Sequence, residues 1–272
     1  MRAPEPALMR LRPLPAGNGI HRVRLDGGRH AVLKRRADAP PDFFAAEVRG
    51  YAALRASASV LTPVVFACET DFLLIEDLGE TRPSTAFWPA AAHALAQLHA
   101  THARDFGFAA DGWCGDGAQD NTPDHDGHRF FAERRLLPQM HRAHAAGLLD
   151  RGDCARIERL CSRLDALVPQ QPPGLVHGDL WTANLHCCAD GTPALIDAGA
   201  VHHGWAEADL AMLILFGTPP PAFFSAYAQC APLRADWRER APLYNLYHLL
   251  NHLNLFGGGY LPRVRNALKR YE

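Results

Sequence analysis

The sequence predicts an α+β protein of two unequal lobes, a small antiparallel β lobe carrying one helix and then a larger, mainly helical lobe. Three observations lead there. Short alternating segments separated by Gly-rich turns crowd the first 76 residues, the pattern of half-buried strands. From about residue 84 onward, long stretches place apolar residues three and four apart, as helices do. Between the two regimes, Glu76-Asp77-Leu78-Gly79 interrupts both periodicities. A chain of 272 residues is long enough for each lobe to bury a core.

A first strand is expected at 8–14, followed by the loop Pro15-Ala16-Gly17-Asn18-Gly19. Strands at 20–25 and 30–34 flank Asp26-Gly27-Gly28, a hairpin signal. Pro40-Pro41-Asp42 opens a helix to about residue 57, in which Phe43, Phe44, Glu47, Val48, Tyr51 and Leu54 fall near one face. Strands at 64–67 and 72–75 complete this lobe, and the division is expected at 78/79, giving lobes of 1–78 and 79–272. Beyond it, a helix is expected at 84–101, a loop at 105–127 where Gly, Asp and Pro are dense, and helices at 128–147 and 150–168. A compact β segment at 174–197 turns at Asp190-Gly191, and four helices follow at 206–216, 219–229, 235–256 and 260–271.

Composition narrows the function. The net charge of −1 lacks the basic surplus of a nucleic-acid binder. No apolar run reaches the roughly 18–20 residues of a membrane span. The N-terminus is broken by prolines and arginines and has no signal-peptide core. A cytoplasmic protein without nucleic-acid or membrane partners is expected. Seven cysteines, an odd number without a CxxC pair, predict reduced thiols rather than a disulfide framework, and the vicinal Cys187-Cys188 is expected in the core. Fifteen histidines occur without HExxH or a Cys partner in sequence, including His202-His203 and the trio His93, His99, His102, so no structural zinc is expected.

The densest chemical signal is His177-Gly178-Asp179-Leu180-Trp181-Thr182-Ala183-Asn184, followed by Ala194-Leu195-Ile196-Asp197. An Asp-x-x-x-x-Asn loop after an apolar strand, then a hairpin returning a second Asp, meets the needs of phosphoryl transfer. One carboxylate takes or orients the proton of an attacking hydroxyl, and two further oxygen ligands hold Mg²⁺ against phosphates. This assigns Asp179 as base and Asn184 and Asp197 as metal ligands. Singly, each has an ordinary structural use as turn cap, backbone partner or strand end; the combination at this spacing points to chemistry. Lys34, in the strand Ala31-Val32-Leu33-Lys34, is placed to meet nucleotide phosphates, and Glu47 on the following helix is placed to pair with it. Gly17, Asn18 and Gly19 would cover phosphates with backbone N–H groups, and Glu76 to Leu78 would offer main-chain groups to an adenine edge. Asp209 begins a very apolar helix, where its carboxylate is stabilised by free N–H groups and is expected to brace the catalytic loop.

At these residues the chain resembles the fructosamine/ketosamine 3-kinase family. The likeness extends to Phe130-Phe131-Ala132-Glu133-Arg134-Arg135-Leu136-Leu137-Pro138-Gln139-Met140 and to the runs 206–217 and 243–260. The Trp after His-Gly-Asp-Leu, together with the segment 243–260, separates this family from aminoglycoside and choline kinases. The resemblance implies a protein-kinase-like fold and ATP- and Mg²⁺-dependent phosphorylation of the sugar 3-hydroxyl of fructosamine, ribulosamine or erythrulosamine adducts, a deglycation repair role. It carries the base to Asp179, the metal to Asn184 and Asp197, and the phosphate contact to Lys34, positioned by Glu47. Two departures bear on specificity. The family's Asp-Pro-Ala reads Asp197-Ala198-Gly199, with the gain of a flexible glycine, and residues 120–128, expected near the acceptor, lack tryptophan. Two alternatives stay open: a kinase of this fold for another small hydroxyl acceptor, such as an aminoglycoside or amino alcohol, and a non-catalytic nucleotide-binding pseudokinase. A monomer and a homodimer are both compatible with the sequence.

Overall fold

A computed structural model describes residues 17–272; the strand expected at 8–14, with Pro15 and Ala16, lies outside the described residues. Strands β1 (Gly19–Arg24) and β2 (His30–Arg35), helix α1 (Phe43–Ala56), and strands β3 (Val65–Cys68) and β4 (Phe72–Glu76) come first. The four strands form one antiparallel sheet in the order β1-β2-β4-β3. Strand alternation sorts its faces. Leu33 and Leu74 pack with Leu25 and Ala31 on one side, while Leu73 and Ile75 join the main core. Register pairs Lys34 with Leu73 and Val32 with Ile75, so Lys34 emerges on the face that α1 covers.

The helical region follows: α2 (Phe87–His99), the short hairpin β5 (Gly112–Cys114) and β6 (Gly117–Gln119), α3 (Gly127–Phe131), α4 (Leu137–Ala145), α5 (Arg151–Cys161) and α6 (Leu164–Leu167). Then come β7 (Gly174–Val176), β8 (Leu185–Cys187), β9 (Pro193–Leu195), β10 (His202–Gly204), α7 (Ala206–Leu213), α8 (Pro221–Cys230), α9 (Trp237–Phe256) and α10 (Leu261–Leu268). The order agrees with the sequence reading except at four places, one of them strand β10, which pairs with β7 beyond the β segment expected at 174–197. Residues 105–127 contain the β5–β6 hairpin rather than loop alone. The helix expected at 128–147 is α3 and α4 joined by a π-helical turn, Ala132–Leu136. The helix expected at 150–168 breaks into α5 and α6.

The π-helical turn aims Arg135 inward. This buried guanidinium donates to the Asp120 carbonyl at 2.5 Å and to Asn121 Oδ1 at 2.7 Å, and lies over the Phe130 and Tyr247 rings. It thereby ties down the segment after β6. Backbone hydrogen bonds join the sheet region to the β8–β9 hairpin: Ala189 N–H donates to Leu78 O (3.1 Å), Thr81 N–H to Cys187 O (3.1 Å) and Leu195 N–H to Leu61 O (2.9 Å). Among the described residues no helix is long and apolar enough to cross a membrane.

Candidate active site

The loop after β7 is held from below by Asp209. Its buried carboxylate accepts the His177 N–H at 2.7 Å and the Gly178 N–H at 2.9 Å, and meets His99 Nε2 at 3.2 Å. His99 Nδ1 in turn meets the Tyr227 hydroxyl at 2.7 Å. Burial alone would raise the Asp209 pKa; the His99 hydrogen bond and charge outweigh it and hold the carboxyl below the usual carboxylate range. Gly178 has φ +81°, and a Cβ there would lie 2.2 Å from the Ala200 carbonyl oxygen, so the loop's path requires glycine. His177 Nε2 contacts the Ile196 carbonyl at 2.8 Å, coupling the loop to the strand that delivers Asp197. The bracing role expected of Asp209 is thus visible in its three partners.

Asp179 projects from this loop into the cleft. Burial, reinforced by the carboxylates of Asp197 and Asp209 against the opposing effect of His177, pushes its pKa up to about 6. Asn184 Nδ2 donates to the Asp179 carbonyl at 2.8 Å, which turns the opposite end of the amide, its oxygen, away from that bond. The β8–β9 register sets Leu185 against Leu195, and Ile196 N–H bonds the Asn184 carbonyl at 3.2 Å. Asp197 therefore arrives one residue beyond the partner of Asn184. The hairpin turning at Asp190-Gly191 brings the amide and the carboxylate to the same end of a two-stranded ladder.

Lys34 connects the sheet to this end. Its Nζ bonds Glu47 Oε1 at 2.5 Å and also contacts Asp197 Oδ1. Burial would lower the Lys34 pKa, but the Glu47 and Asp197 carboxylates outweigh it and hold the ammonium above its usual value. Asp197 is correspondingly held below the carboxylate range by Lys34 against the opposing effect of burial. Tyr51, one helical turn after Glu47, donates its hydroxyl to Glu47 Oε1 at 2.7 Å and accepts the Asp197 N–H at 3.0 Å. The sequence reading placed Tyr51 on the apolar face of α1 and missed this bridging role. Asp197 itself sits in the left-handed region, φ 61° and ψ 55°, a conformation that Asp tolerates better than most residues.

Lys34, Glu47, Asp179 and Asp197 line one cleft of about 280 Å³, with Gly19 and Ile20 of β1, Phe43 and Phe44 on the sheet side and Trp113 and Gly199 opposite; Asn184, which is buried, and Glu76 and Leu78 are not among its lining residues. Of the expected phosphate-covering loop, Gly19 reaches the cleft. Asn18 instead turns its Oδ1 to the Ala37 N–H at 2.8 Å, and the Gly17 carbonyl meets His21 Nε2 at 3.1 Å. Glu76 ends β4 with its N–H on Val64 O at 2.8 Å, and the Leu78 carbonyl is engaged by Ala189. Gly199, expected to loosen its loop, is closely packed: a Cβ there would lie 3.0 Å from the Trp113 carbonyl oxygen. None of residues 120–128 lines the cleft; the aromatic wall is Trp113, from the hairpin that sequence periodicity did not reveal. Behind Trp113, the Tyr247 hydroxyl donates to Gln119 Oε1 (3.0 Å) and Gln119 Nε2 donates to Ala200 O (3.0 Å), joining α9, the hairpin and the Asp197 turn.

A cleft that joins a Lys–Glu pair to two carboxylates, Asp179 and Asp197, with Asn184 bonded to the same loop, invites comparison with known phosphotransferases. The fructosamine kinase family profile matches residues 12–271. A probable ketoamine kinase of Enterococcus faecium is 34% identical over 260 residues, covering 93% of this chain and 91% of that protein. A second, from Synechocystis, is 35% identical over 253 residues, covering 90% and 84%. A crystal structure from Thermobifida fusca, of a chain assigned as a fructosamine-3-kinase, superposes with a TM-score of 0.87 at 36% identity, covering 92% of this chain and 88% of that one. An ADP-bound aminoglycoside phosphotransferase shares the fold at a TM-score of 0.60 and 16% identity. With the profile spanning nearly every residue and the relatives matched almost end to end, the chain belongs to the fructosamine kinase family.

Proposed function

We propose that this protein transfers the γ-phosphoryl group of ATP to the sugar 3-hydroxyl of a ketoamine, with Asp179 as base and Asn184 and Asp197 as the ligands of Mg²⁺. The observation that carries the reading is the meeting of Lys34, Glu47, Asp179 and Asp197 in one cleft of a chain of this family. The donor set suits a hard cation: Asn184 has its amide nitrogen engaged and its oxygen opposite, and Asp197 is held ionised by Lys34. Bound there, magnesium would neutralise charge on the phosphates.

The chain's own residues do the rest. Asp179, with a pKa of about 6, is ionised at neutral pH and accepts the hydroxyl proton on its carboxylate. Lys34 holds phosphate oxygens while Glu47 and Tyr51 fix its position, and the Gly19 end of β1 covers the nucleotide. The Leu78 N–H and the Glu76 main chain meet the adenine edge. The division at 78/79 then separates a nucleotide-covering lobe from the lobe carrying base, metal and acceptor. Such a reaction on free or protein-bound ketoamines belongs in the cytoplasm, where ATP is abundant.

The test is an assay of purified protein with Mg²⁺–ATP and small ribulosamine, erythrulosamine and fructosamine substrates, alongside aminoglycosides and amino alcohols. Ketoamine phosphorylation is expected, and Asp179→Asn is expected to lower kcat by about 10² or more. Turnover of aminoglycosides with none of ketoamines, or an Asn variant with full activity, would overturn the reading.

A further inference from the structure

α9 and the β5–β6 hairpin bring two further ligand-bearing side chains close to the Asp179 carboxylate. His248 Nδ1 stands 3.8 Å from Cys114 Sγ and 3.9 Å from Asp179 Oδ1. The three ligand atoms all lie within 4.8 Å of one another, the one such His/Cys/Asp/Glu group among the described residues. Cys114 and His248 are separated by well over a hundred residues, so no sequence motif announces the group. The His–Asp contact is not an ion pair, because burial pushes the His248 pKa down to about 3. The imidazole is therefore neutral and its nitrogen can act as a ligand.

We propose that Cys114, Asp179 and His248 form a binding site for a thiophilic divalent cation such as Zn²⁺, which inhibits the kinase by occupying its base. The donor set is one sulfur, one nitrogen and one oxygen. Mg²⁺ prefers six hard oxygens and is a poor match, whereas Zn²⁺ takes such mixed sets in tetrahedral geometry. Ligand distances of about 2.0 Å to N and O and 2.3 Å to S put tetrahedral edges at roughly 3.3–3.6 Å. The N–S edge of 3.8 Å and the N–O edge of 3.9 Å exceed these by about 0.3 and 0.6 Å, within reach of rotamer adjustment. Asp179 lines the cleft, which gives the ion its way in, and water would complete its coordination, as in other three-ligand sites. Cys114 and His248 are buried behind it. Burial and the Asp179 charge push the Cys114 thiol well up, so the thiol is protonated until the ion displaces that proton to solvent. An Asp179 carboxylate bonded to the ion cannot accept a proton from the acceptor hydroxyl, so inhibition is competitive with the acceptor and persists at saturating Mg²⁺–ATP.

The inhibition rests on the proposed role of Asp179; the binding does not, and the two are measured separately. Co²⁺ added to the full-length protein should give a near-ultraviolet thiolate-to-cobalt charge-transfer band that Zn²⁺ abolishes and that Cys114→Ala lacks. Zn²⁺ should inhibit ketoamine phosphorylation, and Cys114→Ala should weaken that inhibition by on the order of 10–100-fold, each protein being compared with its own zinc-free rate. A cobalt spectrum without a thiolate band in the wild-type protein, a measurement independent of any variant's folding, would overturn the site. So would equal inhibition of wild type and Cys114→Ala, which would locate zinc at the Asn184–Asp197 pair. If no ketoamine is phosphorylated but the cobalt band appears, the functional reading fails and the site stands.

Discussion

Tyr51 shows how much a single hydroxyl carries. It joins Glu47, which holds Lys34, to the backbone of Asp197. Tyr51→Phe keeps the ring in the core and removes only the oxygen, leaving the half-buried Asp197 N–H without that acceptor. A stability loss of about 1–3 kcal/mol is expected in urea unfolding, with a raised KM for ATP as Lys34 and Asp197 lose their common anchor. Unchanged stability and kinetics would show that the bridge is incidental. Asp209 gives the pH counterpart. Its folded pKa is depressed, so its contribution is present above the unfolded carboxylate value of about 3.9 and is lost as pH falls through the folded value. Asp209→Asn is expected to be less stable by about 3 kcal/mol at pH 7, and the gap from wild type should narrow toward pH 3. A gap independent of pH would contradict the ionised brace. Of the candidate site residues, Asp179, Asn184 and Asp197 stand out in the sequence because one loop and one hairpin carry them in fixed order. Tyr51 was not, since an amphipathic pattern shows that a residue faces inward without showing which polar atom its hydroxyl meets.

At the scale of elements, α1 is seated on the Asp197 turn at Gly50. A Cβ at that position would lie 1.8 Å from the Ala198 carbonyl oxygen, a backbone atom that cannot swing aside. In a free helix Gly→Ala would stabilise by roughly 0.5–1 kcal/mol. Here Gly50→Ala should lift α1 off the turn and draw Glu47 from Lys34. A loss of about 1–3 kcal/mol in thermal unfolding and a fall in kcat of on the order of 10-fold or more are expected; a stabilised variant with full activity would refute the close seating. The strands and most helices were readable from periodicity because each is a local pattern. The β5–β6 hairpin was hidden because its strands have three residues each, too short to display alternation. The π-helical turn was hidden because its signature is a single extra residue in an otherwise helical pattern. The approach of Cys114 to His248 depends on packing between the hairpin and α9, which neither segment encodes alone.

Across the whole molecule, a sheet that delivers Lys34 and a helical region that delivers Asp179, Asn184 and Asp197 meet over a cleft, and α1 and the β8–β9 hairpin close the contact between them. The backbone bonds from Leu61, Leu78 and Thr81 to that hairpin join the two sides, so the shape of the cleft follows from the packing of the whole chain rather than from the loop after β7 alone. The most direct measurement is a crystal structure with Mg²⁺ and a non-hydrolysable ATP analogue. Magnesium should be bound by the Asn184 side-chain oxygen and the Asp197 carboxylate, with Lys34 on the phosphates and Asp179 facing the terminal one. A cation held by other residues, or a nucleotide bound away from Asp179, would contradict it.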